Sequence, residues 1–195
     1  MRAYFPLFIF ALVCICGCAN QSEPSIPIKP AASPILIDAS PKEQSWQGAH
    51  GVSISDKRGT YGYVDYLWDE RYLYLRVKCP LGKVLPKTIR LRLKFTHRDD
   101  LAPYEIIVTW DGKCLNPNLS TLPLPELPSE DVACKATSNH KNWEAEIRVS
   151  LMAINAIGNK VRLTAAISGR RKVVTKRKPP VFAGTITRLM HFVYP

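Results

Sequence analysis

Arg90, Arg92 and Lys94 alternate with Ile89, Leu91, Leu93 and Phe95 across Thr88–Thr96. On an extended strand, residues two apart share a face and stand about 7 Å apart. This spacing therefore backs a row of three cations with an apolar face. Arginine can grip carboxylate, sulfate or phosphate through paired N–H donors, so the row is a candidate anion-binding face. The plainer reading is a solvated face balanced by Glu105, Glu144 or Glu146 on neighbouring strands, where ion pairs contribute little. A second basic cluster, Arg170, Arg171 and Lys172 with Lys176, Arg177 and Lys178, flanks Val173 and Val174 and ends at Pro179 and Pro180. It reads either as a hairpin or loop facing lipid head groups or an anionic polymer, or as a solubilising loop.

The tryptophans are the other candidates. An exposed indole beside polar groups can stack on a sugar ring, whereas a buried one supplies a large apolar area. Trp68 and Trp110 each precede an aspartate at an expected strand end, as Trp68-Asp69 and Trp110-Asp111, and are the candidates for exposure. Catalytic chemistry finds no footing in the pattern. The four histidines, His50, His97, His140 and His191, show no metal-ligand spacing. Nucleophile-elbow, P-loop and dinucleotide motifs are absent from the sequence. A non-catalytic protein without cofactor or metal is expected.

These groups belong to a chain whose start carries an address. Arg2 is followed by an apolar run from Phe5 to Ile15, broken at Pro6. The run is shorter than the roughly 20 residues that a spanning helix needs and fits a secretory signal. It ends in Ile15-Cys16-Gly17-Cys18, which resembles the bacterial lipobox. The resemblance implies cleavage before Cys18, diacylation of that thiol and often acylation of the new amine. Two or more acyl chains anchor stably. Ala19 and Asn20 stand where an inner-membrane retention signal would place Asp, so an outer-membrane address is expected by the same resemblance. Residues 1–17 are thus read as signal, 18–34 as lipidated cysteine and Pro/Ser-rich tether, and 35–195 as one domain. The formal net charge of +11 favours anionic partners, and an envelope address disfavours nucleic acid.

Export permits disulfides. Cys114 and Cys134 bracket the loop NPNLSTLPLPELPSED and are expected to pair, which contributes about 3 kcal/mol in the chain-entropy model. Cys79 falls on the apolar side of an alternating run and is expected to be a buried, inert thiol.

Period-two alternation recurs along the domain. It marks Tyr72–Cys79, Trp143–Val149 and Val161–Ile167 as well as the basic row. Further strands are expected at Val52–Ser55, Tyr61–Trp68, Tyr104–Trp110, Val132–Thr137, Lys172–Thr175 and Thr185–Val193. Asp69–Arg71 and Asn139–Lys141 read as hairpin loops, and at most one helical turn is expected, near Ser150–Ile154. Many short strands and few helices imply an all-β, antiparallel β-sandwich with a jelly-roll-like arrangement.

Within this frame, Ile37-Asp38, Trp46, Leu67-Trp68-Asp69-Glu70-Arg71-Tyr72-Leu73-Tyr74, Trp143–Val149 and Val161–Ser168 follow one another in order. That order resembles the family 9 carbohydrate-binding modules and the wider DOMON-like sandwiches, from Ile35 to Gly169. The resemblance implies a sandwich fold, buried Trp46 and Trp143, and carbohydrate binding. It departs from the family after the second matched strand. Sugar-binding members carry an acidic and aromatic stretch there, whereas this chain reads PLGKVLPKTIRLRLKF. A haem-binding branch uses Met with Lys or His, but nothing around Met152 or Met190 matches its motif. The expectation is a cell-envelope lipoprotein, held to the membrane by its lipid, that binds carbohydrate or an anionic envelope polymer. The alternative is an assembly lipoprotein binding another envelope protein, with haem binding a third reading.

Overall fold

The computed structural model describes residues 25–33, 35–39, 46, 49–56, 59–82, 86–96, 102–117, 124–156, 160–170 and 181–192. Its strands are β1 (Ser25–Ile28), β2 (His50–Asp56), β3 (Gly59–Trp68), β4 (Tyr72–Pro80), β5 (Arg90–Thr96), β6 (Tyr104–Thr109), β7 (Cys114–Leu115), β8 (Val132–Ser138), β9 (Asn142–Ser150), β10 (Lys160–Arg170) and β11 (Val181–Phe192). The alternation read from the sequence governs them. In β5 the apolar residues Leu91, Leu93 and Phe95 are buried while Arg90, Arg92 and Lys94 are exposed. In β10, Val161, Leu163, Ala165 and Ile167 point inward.

The strands form one path, β7-β6-β5-β10-β11-β2-β3-β4-β9-β8, with β1 beside β11. Its middle is thin, since β11 and β2 share one register pair, Thr185 with Ser55. The path therefore folds there into two halves, β7-β6-β5-β10-β11 and β2-β3-β4-β9-β8. Their inner faces share one core that includes Leu93, Phe95 and Leu163 from the first half and Leu75, Trp143 and Ile147 from the second. At the opposite edge the two terminal strands are joined by the Cys114–Cys134 disulfide, with Cα atoms 5.9 Å apart. The expected disulfide thus fastens the open side of the sandwich.

Both expected hairpin loops are present and use one device. Asp69 Oδ1 accepts from the N–H groups of Arg71 and Tyr72 at 2.8 and 2.7 Å. Asn139 Oδ1 accepts from those of Lys141 and Asn142, both at 2.8 Å. Such side chains imitate a backbone turn and so favour tight reversals. The expected turn after β9 also forms, with the Ile154 N–H donating to the Ser150 carbonyl at 3.3 Å. A 3-10 turn at Pro86–Thr88 leads into β5. The Lys172–Thr175 strand expectation falls outside the described residues.

The ordered domain begins before Ile35, contrary to the expected tether. β1 pairs in parallel with β11, with Ile28 opposite Phe192. Proline is tolerated on an edge strand because one side of such a strand needs no ladder partner. The chain continues along β3, where the Ala31 N–H donates to the Trp68 carbonyl at 2.7 Å. It then supplies Ile35, which packs with Trp46, Leu67 and Tyr74 on the outer face of the second half. This second apolar cluster is a cover laid over one outer sheet face.

Candidate functional site

The outer face of the first half carries the basic row. Register places Ser168, Ala166 and Thr164 of β10 opposite Arg90, Arg92 and Lys94. On the other side stand Thr109, Ile107 and Glu105 of β6. One acid therefore faces three cations. Glu105 takes it diagonally: its carboxylate accepts from Arg92 Nε at 2.9 Å and from Arg92 Nη2. Glu105 is nearly buried by this packing. Among the described residues, Arg90 and Lys94 have no carboxylate within ion-pair reach. Among the described residues, the three-cation row thus resolves into one ion-paired arginine between two cations that have no ion-pair partner. Of the suggested acidic partners, Glu105 serves, while Glu144 and Glu146 lie on β9 in the other half.

Arg90 is the shared wall of two concavities. The first, of about 390 Å³, is lined by Lys87, Thr88, Arg90, Ser168, Gly169 and Arg170. Its rim is tied by the Arg170 N–H, which donates to Thr88 Oγ1 at 2.8 Å. The second, of about 470 Å³, lies between Arg90, Ile107, Thr109, Lys113, Leu115, Leu124 and Glu126. Its floor is largely apolar, and Lys113 pairs with Glu126 at 3.4 Å on its edge.

Trp110 sits beside this pair of concavities and is 38% exposed, as the sequence suggests. Lys87 Nζ lies 5.7 Å from its ring centroid, a cation–π contact. The turn that carries it is firmly held. The Trp110 carbonyl accepts from Trp143 Nε1 at 2.9 Å, and the Gly112 N–H donates to the Thr109 carbonyl at 3.0 Å. Gly112 has φ +86°, and a Cβ there would lie 2.5 Å from the Ala136 nitrogen. Only glycine lets this turn sit against β8.

Trp68 corrects the expectation of exposure. It is 2% exposed, donates from Nε1 to the Ile28 carbonyl at 3.0 Å and meets Phe192 edge to face at 5.6 Å. The cause is the end of β1, where Ile28 lies forty residues away in sequence. Trp46 and Trp143 are buried as expected. Cys79 is buried and free, and burial pushes its thiol up to about 12. Cys18, Arg171, Lys172, Lys176, Arg177 and Lys178 fall outside the described residues, so of the second basic cluster Arg170 alone is placed at the site. Met190 is buried in the core and Met152 is exposed after β9, so the two methionines do not face one site. Among the described residues, no group of three His, Cys, Asp or Glu could hold a metal. No described helix is long and apolar enough to cross a membrane.

The sequence reading missed Lys87, Thr88, Ser168 and Gly169. Their contribution depends on the β5–β10 register, which no single strand encodes. The visible signal was the run Lys87-Thr88 before the basic strand and the small pair Ser168-Gly169 before Arg170.

The opposite outer face is built differently. Asp65 accepts from Arg76 Nε and Nη2 at 2.9 and 2.7 Å. The Arg76 guanidinium stacks 4.8 Å from the Trp46 centroid. Glu146 Oε2 accepts from the Asp38 and Ala39 N–H groups at 3.2 and 2.8 Å.

 These two bonds pin residues 38 and 39 over β9, and Ala39 adopts φ 61° there.

No family model and no curated protein matches the chain. Two solved structures do, both of a family 9 carbohydrate-binding module from Caldicellulosiruptor kristjanssonii, one in complex with cellotriose and one with glucose. Each superposes with a TM-score of 0.57 at 9% identity over 88% of this chain, covering 95% and 97% of the respective module. At that identity the likeness concerns the fold. The chain shares its antiparallel β-sandwich fold with these family 9 carbohydrate-binding modules.

Proposed function

We propose that this protein is a non-catalytic module that binds carbohydrate or an anionic envelope polymer on the outer face of its first half, while a lipid on Cys18 holds it in the cell envelope, with the outer membrane as its address. The observation that carries this reading is the pair of concavities meeting at Arg90 with Trp110 exposed beside them. Concave sites with a few convergent polar groups are the usual form of a ligand site. The sandwich likeness to sugar-binding modules supports the ligand class, and the lipobox resemblance at Ile15–Cys18 supports the address.

A glycan-binding screen at two salt concentrations tests the function. Binding to at least one glycan, lost in Trp110→Ala, is expected, and silence across neutral and acidic sugars would contradict it. For the anchor, Cys18→Ser should move the protein from the membrane fraction to the soluble one.

The alternative of an assembly lipoprotein draws on Met152, which is 78% exposed at a concavity of about 220 Å³ with Glu70, Arg71 and Tyr72. Pull-down from solubilised envelopes, with Met152→Lys as the comparison, separates it from glycan binding.

A further inference from the structure

We propose that the ligand is an acidic polysaccharide, with an anionic substituent seated among Lys87, Arg90 and Arg170 and the adjoining sugar ring on the apolar floor formed by Ile107 and Leu115. The inference rests on the glycan-binding reading above and names the class of glycan.

Three observations lead to it. First, the smaller concavity gathers three cations and the residues Thr88, Ser168 and Gly169, and no carboxylate lines it among the described residues. A cleft walled by one sign of charge focuses its field and concentrates the opposite ion. Neutral sugar offers these cations nothing that water does not. Arginine, by contrast, binds carboxylate, sulfate or phosphate bidentately.

Second, the same strand contains its own control. Arg92 lies two residues from Arg90 on the same face and is neutralised by Glu105. Arg90 has Thr109 and Ser168 as cross-strand neighbours. Among the described residues, Arg92 is thus paired with an acid, while the register partners of Arg90 on both sides carry hydroxyls.

Third, Arg90 also borders the larger concavity, whose floor is apolar. The CH face of a sugar ring can lie on such a floor while its acidic substituent reaches across Arg90 into the cationic concavity. A flat anionic membrane fits less well. Glu126 stands exposed on the rim of the larger concavity, and Asp111 is exposed beside Trp110, so an approaching bilayer would meet acids as well as cations.

The test is titration calorimetry on the full chain with four probes: a galacturonate hexamer, a sulfated hexasaccharide, a neutral galactose hexamer, and vesicles of phosphatidylcholine with phosphatidylglycerol. At least one acidic hexamer should bind tenfold or more tightly than the neutral one, and this preference should shrink as salt is raised. Arg90→Gln and Arg170→Gln should each remove most of the preference while leaving the melting temperature unchanged. Lys29→Gln, which removes an exposed cation elsewhere, should leave it intact. Equal affinity for acidic and neutral hexamers would overturn the acidic assignment and leave glycan binding standing. No binding of any sugar would overturn both. Vesicle binding without sugar binding would overturn both in favour of a membrane-contact face.

Discussion

The two outer faces of the sandwich carry similar raw material and use it oppositely. On β4 and β9, Arg76, Lys78, Glu144, Glu146 and Arg148 alternate with core residues, much as Arg90, Arg92 and Lys94 do on β5. In the second half, register sets Arg76 against Glu146 and Lys78 against Glu144, and the face is partly roofed. Asp65 holds Arg76, Trp46 covers that guanidinium, Arg148 stacks 4.5 Å from the Tyr72 centroid, and Glu146 anchors the covering segment. In the first half no described segment covers the row, and the described acids form an ion pair with Arg92 alone among its three cations. Charge alternation therefore shows which way a strand faces, but not whether that face is structural or available. The neighbouring strands and the covering segment decide this.

The largest expected effect comes from breaking the cover at its hinge with the core. Trp68→Ala should destabilise the fold by about 3–5 kcal/mol, the range for a large aromatic lost from a packed core, as read by chemical denaturation. An exposed tryptophan would cost far less. Reducing the Cys114–Cys134 disulfide should come next. It opens the edge that the two halves share, and a loss of about 3 kcal/mol is expected, seen as a lower denaturation midpoint in reductant.

Charge substitutions then separate the faces directly. Asp65→Ala leaves Arg76 partly buried without its acid and should cost about 3 kcal/mol, with ligand binding retained by the remaining fold. Arg90→Gln should change stability by no more than about 0.5 kcal/mol, as for an ordinary surface site, and should remove most of the preference for acidic ligand. If both variants changed stability equally, the contrast between the faces would fail.

The smallest effect is a pH dependence. Burial pushes the Cys79 thiol from 9.0 up to about 12, and burial with the Asp69 hydrogen bond raises the Tyr74 hydroxyl as well. A raised acid is neutral in the folded protein when its unfolded counterpart has begun to ionise. The stability it contributes is complete below pH 9 and declines as pH rises through 9 toward 12. Melting temperature should therefore fall with alkali over that window, and less so in Cys79→Ala. A thiol reagent at pH 8 should label Cys79 only on unfolding.

Much of the fold was legible because it is local. The alternation in β5, β9 and β10, the Asp69 and Asn139 turns and the Cys114–Cys134 bracket each lie within a short stretch or follow from one physical rule. Burial of Trp68 was not legible, because it depends on Ile28 and Phe192, which are distant in sequence. Residues 25–33 read as a tether because proline and serine suppress strand signals, yet β11 provides a parallel edge for four of them. At the site, Arg90, Arg170 and Trp110 were visible as residue types. The selection of Arg90 over Arg92 was not, since it depends on cross-strand register with β6 and β10.

Amide chemical-shift mapping during titration with a galacturonate hexamer tests the central claim most directly, because it reads both faces at once. The account predicts shifts concentrated at Lys87, Arg90, Thr109, Trp110 and Ser168, with Tyr63, Lys78 and Glu144 on the opposite face unmoved. Shifts concentrated at Tyr63, Lys78 and Glu144, with Arg90 and Trp110 silent, would contradict it.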